Sequence, residues 1–279
     1  MHFIIRFLKN FYYIFKFHKK SARQKTSLFF TYISLFFKEI IFVQLLKIPL
    51  KSSRIFGYRI FFFSHSQFLS LFEDEFINDE YCFRTNNQFP LIIDGGTHIG
   101  LEILFFKKIY PHCKIIAFEP DRKTFSLLKK TIAINRFDNI TLVNKALSDK
   151  NGSARLYSDF ADPGSTVMSL EKNRLYKNST IVKTVRLSDY INKPVDFLKL
   201  DIEGAEIKVI NDLTVKRKLA QIHQGIIEYH HHIKRNDDRL SDLLSSLEKY
   251  GFGYQISNKL RPPFNPNTYQ DLLIYFYKK

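Results

Sequence analysis

No run of residues near the N-terminus of this 279-residue chain is long and uncharged enough to span a bilayer. The longest, Thr26 to Phe37, has twelve residues, against the roughly 18 to 20 a span requires. A clean apolar run followed by small residues at a cleavage position is missing too, which disfavours a secretory signal. Cysteine is scarce: Cys82 and Cys113 stand far apart and match no metal-ligand spacing, which excludes a disulfide framework and fits a reducing compartment. Tryptophan is absent although phenylalanine reaches 29, a bias that carries no function by itself. Acids are nearly missing from the first 54 residues, where eleven Lys/Arg stand against Glu39 alone and supply +10 of the net +16. The basic character therefore belongs to an N-terminal arm.

At about 100° per residue, Arg6, Lys9, Asn10, Lys16 and Lys20 fall on one side of that arm, leaving Phe3, Ile4, Phe7, Phe11, Ile14 and Phe15 among the apolar remainder. The spacing predicts a basic amphipathic helix, which either lies on an anionic membrane surface or packs on the main domain. Nucleic acid is disfavoured as a partner, because no recognised binding motif accompanies the charge. The expected organisation is an arm over 1–54 and a domain over 55–279. The expected location is the cytoplasm, with the inner face of the membrane open to the arm.

Within the domain, Ile60–Phe63 and Tyr81–Phe83 read as short strands flanking a helix over Phe68–Ile77, and Arg84–Pro90 as a loop. From Leu91 strands alternate with helices. Strands are expected at 91–94, 114–118, 140–144, 195–200, 225–228, 254–257 and 272–275, and stripes such as Phe125-Leu128-Ile132 and Leu240-Leu243-Leu244-Leu247 mark helices between them. Such alternation predicts parallel βαβ units in an α/β fold. Two short strand-like runs, Ala154–Tyr157 and Ile181–Val185, bracket a polar loop over 158–180, read as either a substrate lid or a passive insertion.

The chemistry gathers at the ends of these strands. Leu91-Ile92-Ile93-Asp94-Gly95-Gly96-Thr97-His98-Ile99-Gly100 is a buried strand ending in an acid and a glycine turn that opens a helix. Glycine permits close backbone approach there, and the helix N-terminus is expected to aim N–H groups into the crevice. Glu119 ends the second strand 25 residues after Asp94, close to the roughly 20-residue spacing at which an acid accepts ribose hydroxyls. Asn144, Lys145 and Ala146 follow the third strand and could edge an adenine ring. Asp201 and Glu203 follow the fourth, and Glu228 and His230 share a face of the fifth. Consecutive histidines have no recognised ligand spacing, so no metal is expected.

Asp94-Gly95-Gly96-Thr97-His98-Ile99-Gly100, Ile116-Ala117-Phe118-Glu119-Pro120, Lys145-Ala146-Leu147-Ser148-Asp149, Leu198-Lys199-Leu200-Asp201-Ile202-Glu203-Gly204-Ala205-Glu206 and Ile227-Glu228-Tyr229-His230 together resemble the FkbM family of S-adenosylmethionine-dependent methyltransferases. The resemblance extends over about residues 55 to 260, with 75–83 similar to the segment before the first glycine motif. It implies a class I methyltransferase fold, a mostly parallel seven-stranded sheet with an antiparallel last strand and helices on both faces. It also implies O-methylation of a hydroxyl on a small metabolite or a glycan sugar. Asp94, Gly96 and Gly100 would hold the methionine end of S-adenosylmethionine, Glu119 its ribose, and Asn144, Lys145 and Ala146 its adenine. Thr97-His98 stands where the family commonly has Ala-Asn. An alcohol must lose a proton to become a good nucleophile, and Asp201, Glu203 and His230 are the candidate bases. Two other readings stay open: a nicotinamide-dependent oxidoreductase, whose G-x-G-x-x-G fingerprint differs from the G-G-x-x-x-G found here, and a membrane-docked cofactor-binding protein without turnover.

Overall fold

The computed structural model describes residues 2–16, 20–158, 168–171, 178–231, 239–258 and 270–279. The N-terminal part runs α1 (His2–Lys16), α2 (Ala22–Lys38), β1 (Ser52–Ile55), β2 (Tyr58–Phe61) and α3 (His65–Phe72). There follow β3 (Leu91–Gly95), α4 (Leu101–Ile109), β4 (Lys114–Phe118), α5 (Arg122–Asn135), β5 (Ile140–Val143), β6 (Ala146–Ser148), β7 (Gly152–Ser158) and β8 (Asn178–Arg186). The last elements are β9 (Phe197–Leu200), α6 (Glu206–Val215), β10 (Gln224–His231), α7 (Leu240–Lys249), β11 (Phe252–Asn258) and β12 (Gln270–Lys278). They form two compact units.

The first unit comprises Met1–Cys82, Ile99–Ile109 and Ser126–Phe137. In it α2 starts at a capping box, Ser21 Oγ accepting from Gln24 N while the Gln24 side chain accepts from Ser21 N. The helix continues as a π-helical stretch, Glu39–Leu45. The resulting Ala22–Leu45 helix has 24 residues and a mean hydropathy of 1.6 over its best window. A length sufficient to cross a membrane thus exists where the uncharged run alone did not suggest one, because the helix runs on past Lys38.

The arm packs on its own unit. Phe7 stacks on Tyr32 with ring centroids 5.9 Å apart, and buried Asn10 donates to the Tyr32 hydroxyl at 3.0 Å. Arg6 Nε reaches Glu73 at 2.8 Å. Glu39 accepts from Ser66 Oγ at 2.6 Å and lies 2.8 Å from His65 Nδ1.

Some local expectations change. β1 has no clear sequence signature, since Ser52-Ser53-Arg54 shows little apolar signal, yet it pairs with β2 through a two-residue turn, Phe56-Gly57, with both φ values positive. Tyr81–Phe83 is no strand. The helix expected over Phe68–Ile77 begins earlier, at His65, capped by the Ser64 hydroxyl, and ends as a π-helical stretch at Ile77.

The second unit comprises Phe83–His98, Tyr110–Phe125 and Asp138–Lys279 and holds the large sheet. Its order is β11-β12-β10-β9-β3-β4-β5, with β12 antiparallel to both neighbours and the pairs among β10, β9, β3, β4 and β5 parallel. This is the α/β class I methyltransferase sheet expected from the sequence, antiparallel last strand included. β6, β8 and β7 form a separate three-stranded sheet, in which the runs at 154–157 and 181–185 pair antiparallel as β7 and β8. The central strands are buried on both faces, which is why they read as near-continuous apolar runs.

Register decides where the site lies. Gly95 pairs with Phe118 on one side and with Leu200 on the other, and Leu200 with Ile227. The carboxyl ends of β3, β4, β9 and β10 therefore lie together, and the residues just beyond them share one edge of the sheet.

Candidate functional site

The glycine turn opens the site. Gly96 has φ +88, and a Cβ there would stand 1.8 Å from the carbonyl oxygen of Asp201, so only glycine lets the β3 turn pass the end of β9 this closely. His98 also lies in the left-handed region at φ +50. Asparagine and histidine are both enriched there among non-glycine residues, so backbone conformation accounts for histidine at a position where the resembling family commonly has asparagine.

The amides of the turn do not face a ligand as expected. Gly96 N and Thr97 N both donate to the Phe118 carbonyl at 3.0 Å, and His98 N donates to Glu119 Oε2 at 3.1 Å. Three amides of the turn are thus spent on the last residue of β4 and on the acid that follows it. Gly100 belongs to the first unit, where it has φ +86 and a Cβ would meet Leu128 Cδ1 at 2.5 Å.

Around the turn the expected cofactor residues collect. Asp94 is fully buried, and neither of its carboxylate oxygens has a hydrogen-bond partner among the described residues. The Lys199 ammonium lies 3.5 Å from its Oδ1. Burial pushes the Asp94 carboxyl above its ordinary range, against the pull of that ammonium. Glu119, 6% exposed, accepts from Asp121 N through Oε1 and from His98 N through Oε2, and burial pushes it up to about 8. Asn144 ties the third strand end to this acid, its Nδ2 donating to the Glu119 and Pro120 carbonyls at 2.8 and 3.1 Å. Lys145 follows half-buried, its N bonded to Val143 O, and Ala146 is buried at the start of β6. Asp94 keeps lone pairs for a cationic amino group beside the Lys199 ammonium, and Glu119 keeps lone pairs for hydroxyls. These residues fit S-adenosylmethionine.

Beyond β9 and β10 stands an acid–histidine cluster. His230 is 5% exposed; its Nδ1 lies 3.0 Å from Glu206 Oε1, and its Nε2 faces Glu203 Oε2 at 3.3 Å and Asp201 Oδ1 at 3.9 Å. Burial alone would push the imidazole down, but Glu206, Asp201 and Glu228 outweigh it and raise its pKa to about 9. That direction makes the ring a poorer proton acceptor than its neighbours and favours Asp201 and Glu203, whose side chains are 26% and 13% exposed, among the three candidate bases. One oxygen of each and one nitrogen of His230 lie within 4.8 Å of one another, a spacing a single cation could bridge and a protonated ring fills with its own charge.

Sequence reasoning passed over two residues here. Lys199 is fully buried inside β9, donates to Gly96 O at 2.8 Å and lies 3.7 Å from Asp201 Oδ2, so one ammonium links the cofactor turn to the acid cluster. A lysine inside Phe-Leu-Lys-Leu was the available signal. Glu206, 1% exposed, accepts from Ile202 N and Gly204 N through the oxygen that faces His230, and so shapes the loop bearing Glu203, itself at φ +57.

The loop over 158–180, read as a lid or a passive insertion, lies largely outside the described residues. Residues 168–171 of it are described, and buried Ser169 there donates its hydroxyl to the Glu203 carbonyl while bridging Tyr157.

Comparison with known proteins follows the same residues. A family model described as the methyltransferase FkbM domain matches residues 94–254. The chain is 29% identical over 206 residues to methyltransferase sdnD of Sordaria araneosa, covering 60% of this chain and 74% of that one. It is 31% identical over 143 residues to methyltransferase 1 of Beauveria bassiana (strain ARSEF 2860), covering 44% and 57%. A crystal structure of methyltransferase FkbM from Methylobacillus flagellatus KT is similar with a TM-score of 0.48 at 15% identity, over 98% of this chain and 60% of that one. With the matched model running from Asp94 at the glycine turn to Tyr254 in β11, this chain belongs to the FkbM family of S-adenosylmethionine-dependent methyltransferases.

Proposed function

We propose that this protein O-methylates a hydroxyl group on a glycan sugar or a small hydroxylated metabolite, in the cytoplasm. The observation that carries the reading is the placement of a partly exposed carboxylate, Asp201, between the buried Lys199 ammonium and the buried His230 ring beside the cofactor turn. S-adenosylmethionine supplies a methyl group already activated on a sulfonium. What the chain must add is alignment and proton removal. Asp94 would hold the cofactor's ammonium and Glu119 its ribose hydroxyls. The cofactor would supply the methyl group, its carbon–sulfur bond breaking to leave a neutral thioether, and Asp201 takes the proton that the acceptor hydroxyl gives up. Lys199 and His230 hold Asp201 between them as positioning residues.

The nicotinamide reading is disfavoured by the turn itself. A dinucleotide brings a pyrophosphate that needs free backbone N–H donors, whereas Gly96, Thr97 and His98 N–H groups are all bonded inside the protein. A glycan still on its lipid carrier would meet this enzyme at the inner face of a membrane.

The test is transfer of labelled methyl from S-adenosylmethionine to a panel of hydroxylated sugars and glycan precursors. Asp201→Asn should lower turnover on the true acceptor by roughly 100-fold or more with cofactor binding retained. Unchanged turnover would remove Asp201 as the base, and a product methylated on nitrogen or carbon would overturn the O-methylation reading.

A further inference from the structure

The first helix has two apolar faces; one is buried, and the other stays largely exposed although Phe11 and Phe15 each meet Phe29 edge-on at 5.3 Å. Ile14 is fully buried and Phe7 packs on Tyr32 and Phe36, while Arg6 and Asn10, polar on a helical projection, point inward to Glu73 and Tyr32. On the opposite side Ile4, Leu8, Phe11 and Phe15 are 65, 58, 42 and 40% exposed. α2 repeats the arrangement: Leu28, Tyr32, Leu35 and Phe36 are buried, and Phe30, Phe37 and Ile41 form a row on the other side, 63, 52 and 40% exposed.

Of the 20 large hydrophobic residues exposed among those described, 13 lie between Ile4 and Ile48. Such concentration marks an interaction surface rather than ordinary scatter. Its electrical partner is equally specific. Lys9, Lys16, Arg23 and Lys47 are exposed in the same segment, and Glu39, its single acid, is buried against His65.

We infer that this unit docks on an anionic lipid bilayer, the exposed rows of α1 and α2 entering among the acyl chains and the lysines and arginines meeting the headgroups. Apolar area and anionic attraction add at such an interface, each nearby cation strengthening binding about fivefold. A second copy of the chain fits poorly, since joining two such faces would bring basic residues together with no exposed acid among them. Crossing the bilayer fits poorly as well: it would expose Glu39, Tyr32 and Leu35 to lipid after separating them from His65, Asn10 and their apolar neighbours. The inference rests on the arm alone, so its failure leaves methyl transfer standing.

The test uses the full chain and exploits its lack of tryptophan. Phe11→Trp places a single indole on the exposed row. Vesicles of phosphatidylglycerol in phosphatidylethanolamine should shift its emission to the blue and carry the protein upward in flotation, whereas phosphatidylcholine vesicles should do much less. Salt at ~1 M, where the Debye length falls to about 3 Å, should weaken binding. Lys9→Gln with Lys16→Gln should weaken it about 30-fold. Ile4→Ser with Leu8→Ser should reduce it by roughly tenfold or more, while Val215→Ser, exposed in the other unit, should leave it unchanged. Alkaline carbonate should release the protein. An unshifted indole with the protein left in the soluble fraction overturns the inference, as do carbonate-resistant retention and a blue shift produced by dimerisation without vesicles.

Discussion

Replacing Gly96 by alanine separates two effects that usually travel together. The substitution asks a non-glycine residue to adopt φ +88 and places its Cβ 1.8 Å from the Asp201 carbonyl oxygen, about 1.2 Å inside the 3.0 Å limit that Cβ contacts observe. The first effect costs about 1–2 kcal/mol. The second has no side-chain remedy, because the atom struck is backbone: the β3 turn and the loop after β9 must move apart. Those two segments carry Asp94 and Asp201, so a displacement near 1 Å falls on both the cofactor acids and the proposed base. A misplacement of that size is worth about 100-fold in rate. Gly251→Ala is the matched control, with φ +77 and nothing within 4 Å of its Cβ. Both variants should lose thermal stability, the control by a few degrees. Only Gly96→Ala should also lose cofactor affinity by calorimetry and methyl transfer. If the two variants behave alike in binding and transfer, the close approach does not hold the site together and the reasoning fails.

Removing the buried ammonium with Lys199→Met leaves Asp94 buried without its cation, at a cost of about 3–5 kcal/mol; a melting temperature equal to wild type would refute the pairing. The imidazolium makes a pH-dependent contribution whose sign is fixed. Because the folded pKa of His230 is raised to about 9 from 6.5, its stabilisation is complete below pH 6.5 and is lost as pH rises through about 9, on the order of 3 kcal/mol in all. Glu119, also raised, shares that sign, so the measurement is the difference between wild type and His230→Gln in urea midpoints. That difference should narrow as pH rises through the window; a constant gap would mean that His230 is neutral in the fold.

What the sequence made legible follows from where each signal is local. Leu91–Asp94 and Lys114–Phe118 are short apolar runs ended by an acid or a turn, and the parallel sheet they form needs little more than that pattern. Glu119 and Asp201 were readable because a carboxylate just past an apolar strand has few structural reasons to be there. Lys199 was not, since its meaning lies in Asp94, 105 residues earlier in the chain. The arm shows the same limit from the other side. A helical projection sorts Arg6 and Asn10 with Lys9 and Lys16, because all four are polar. The fold sorts them differently, burying the two that find Glu73 and Tyr32. Once those partners draw one polar edge inward, the helix rotates, and part of the apolar stripe that the projection assigned to the interior is delivered to the surface. The outward row of Ile4, Leu8, Phe11 and Phe15 is therefore a consequence of two inward polar contacts. Breaking the Arg6–Glu73 pair with Glu73→Gln should loosen α1 and redistribute the exposure of that row without touching a single apolar residue.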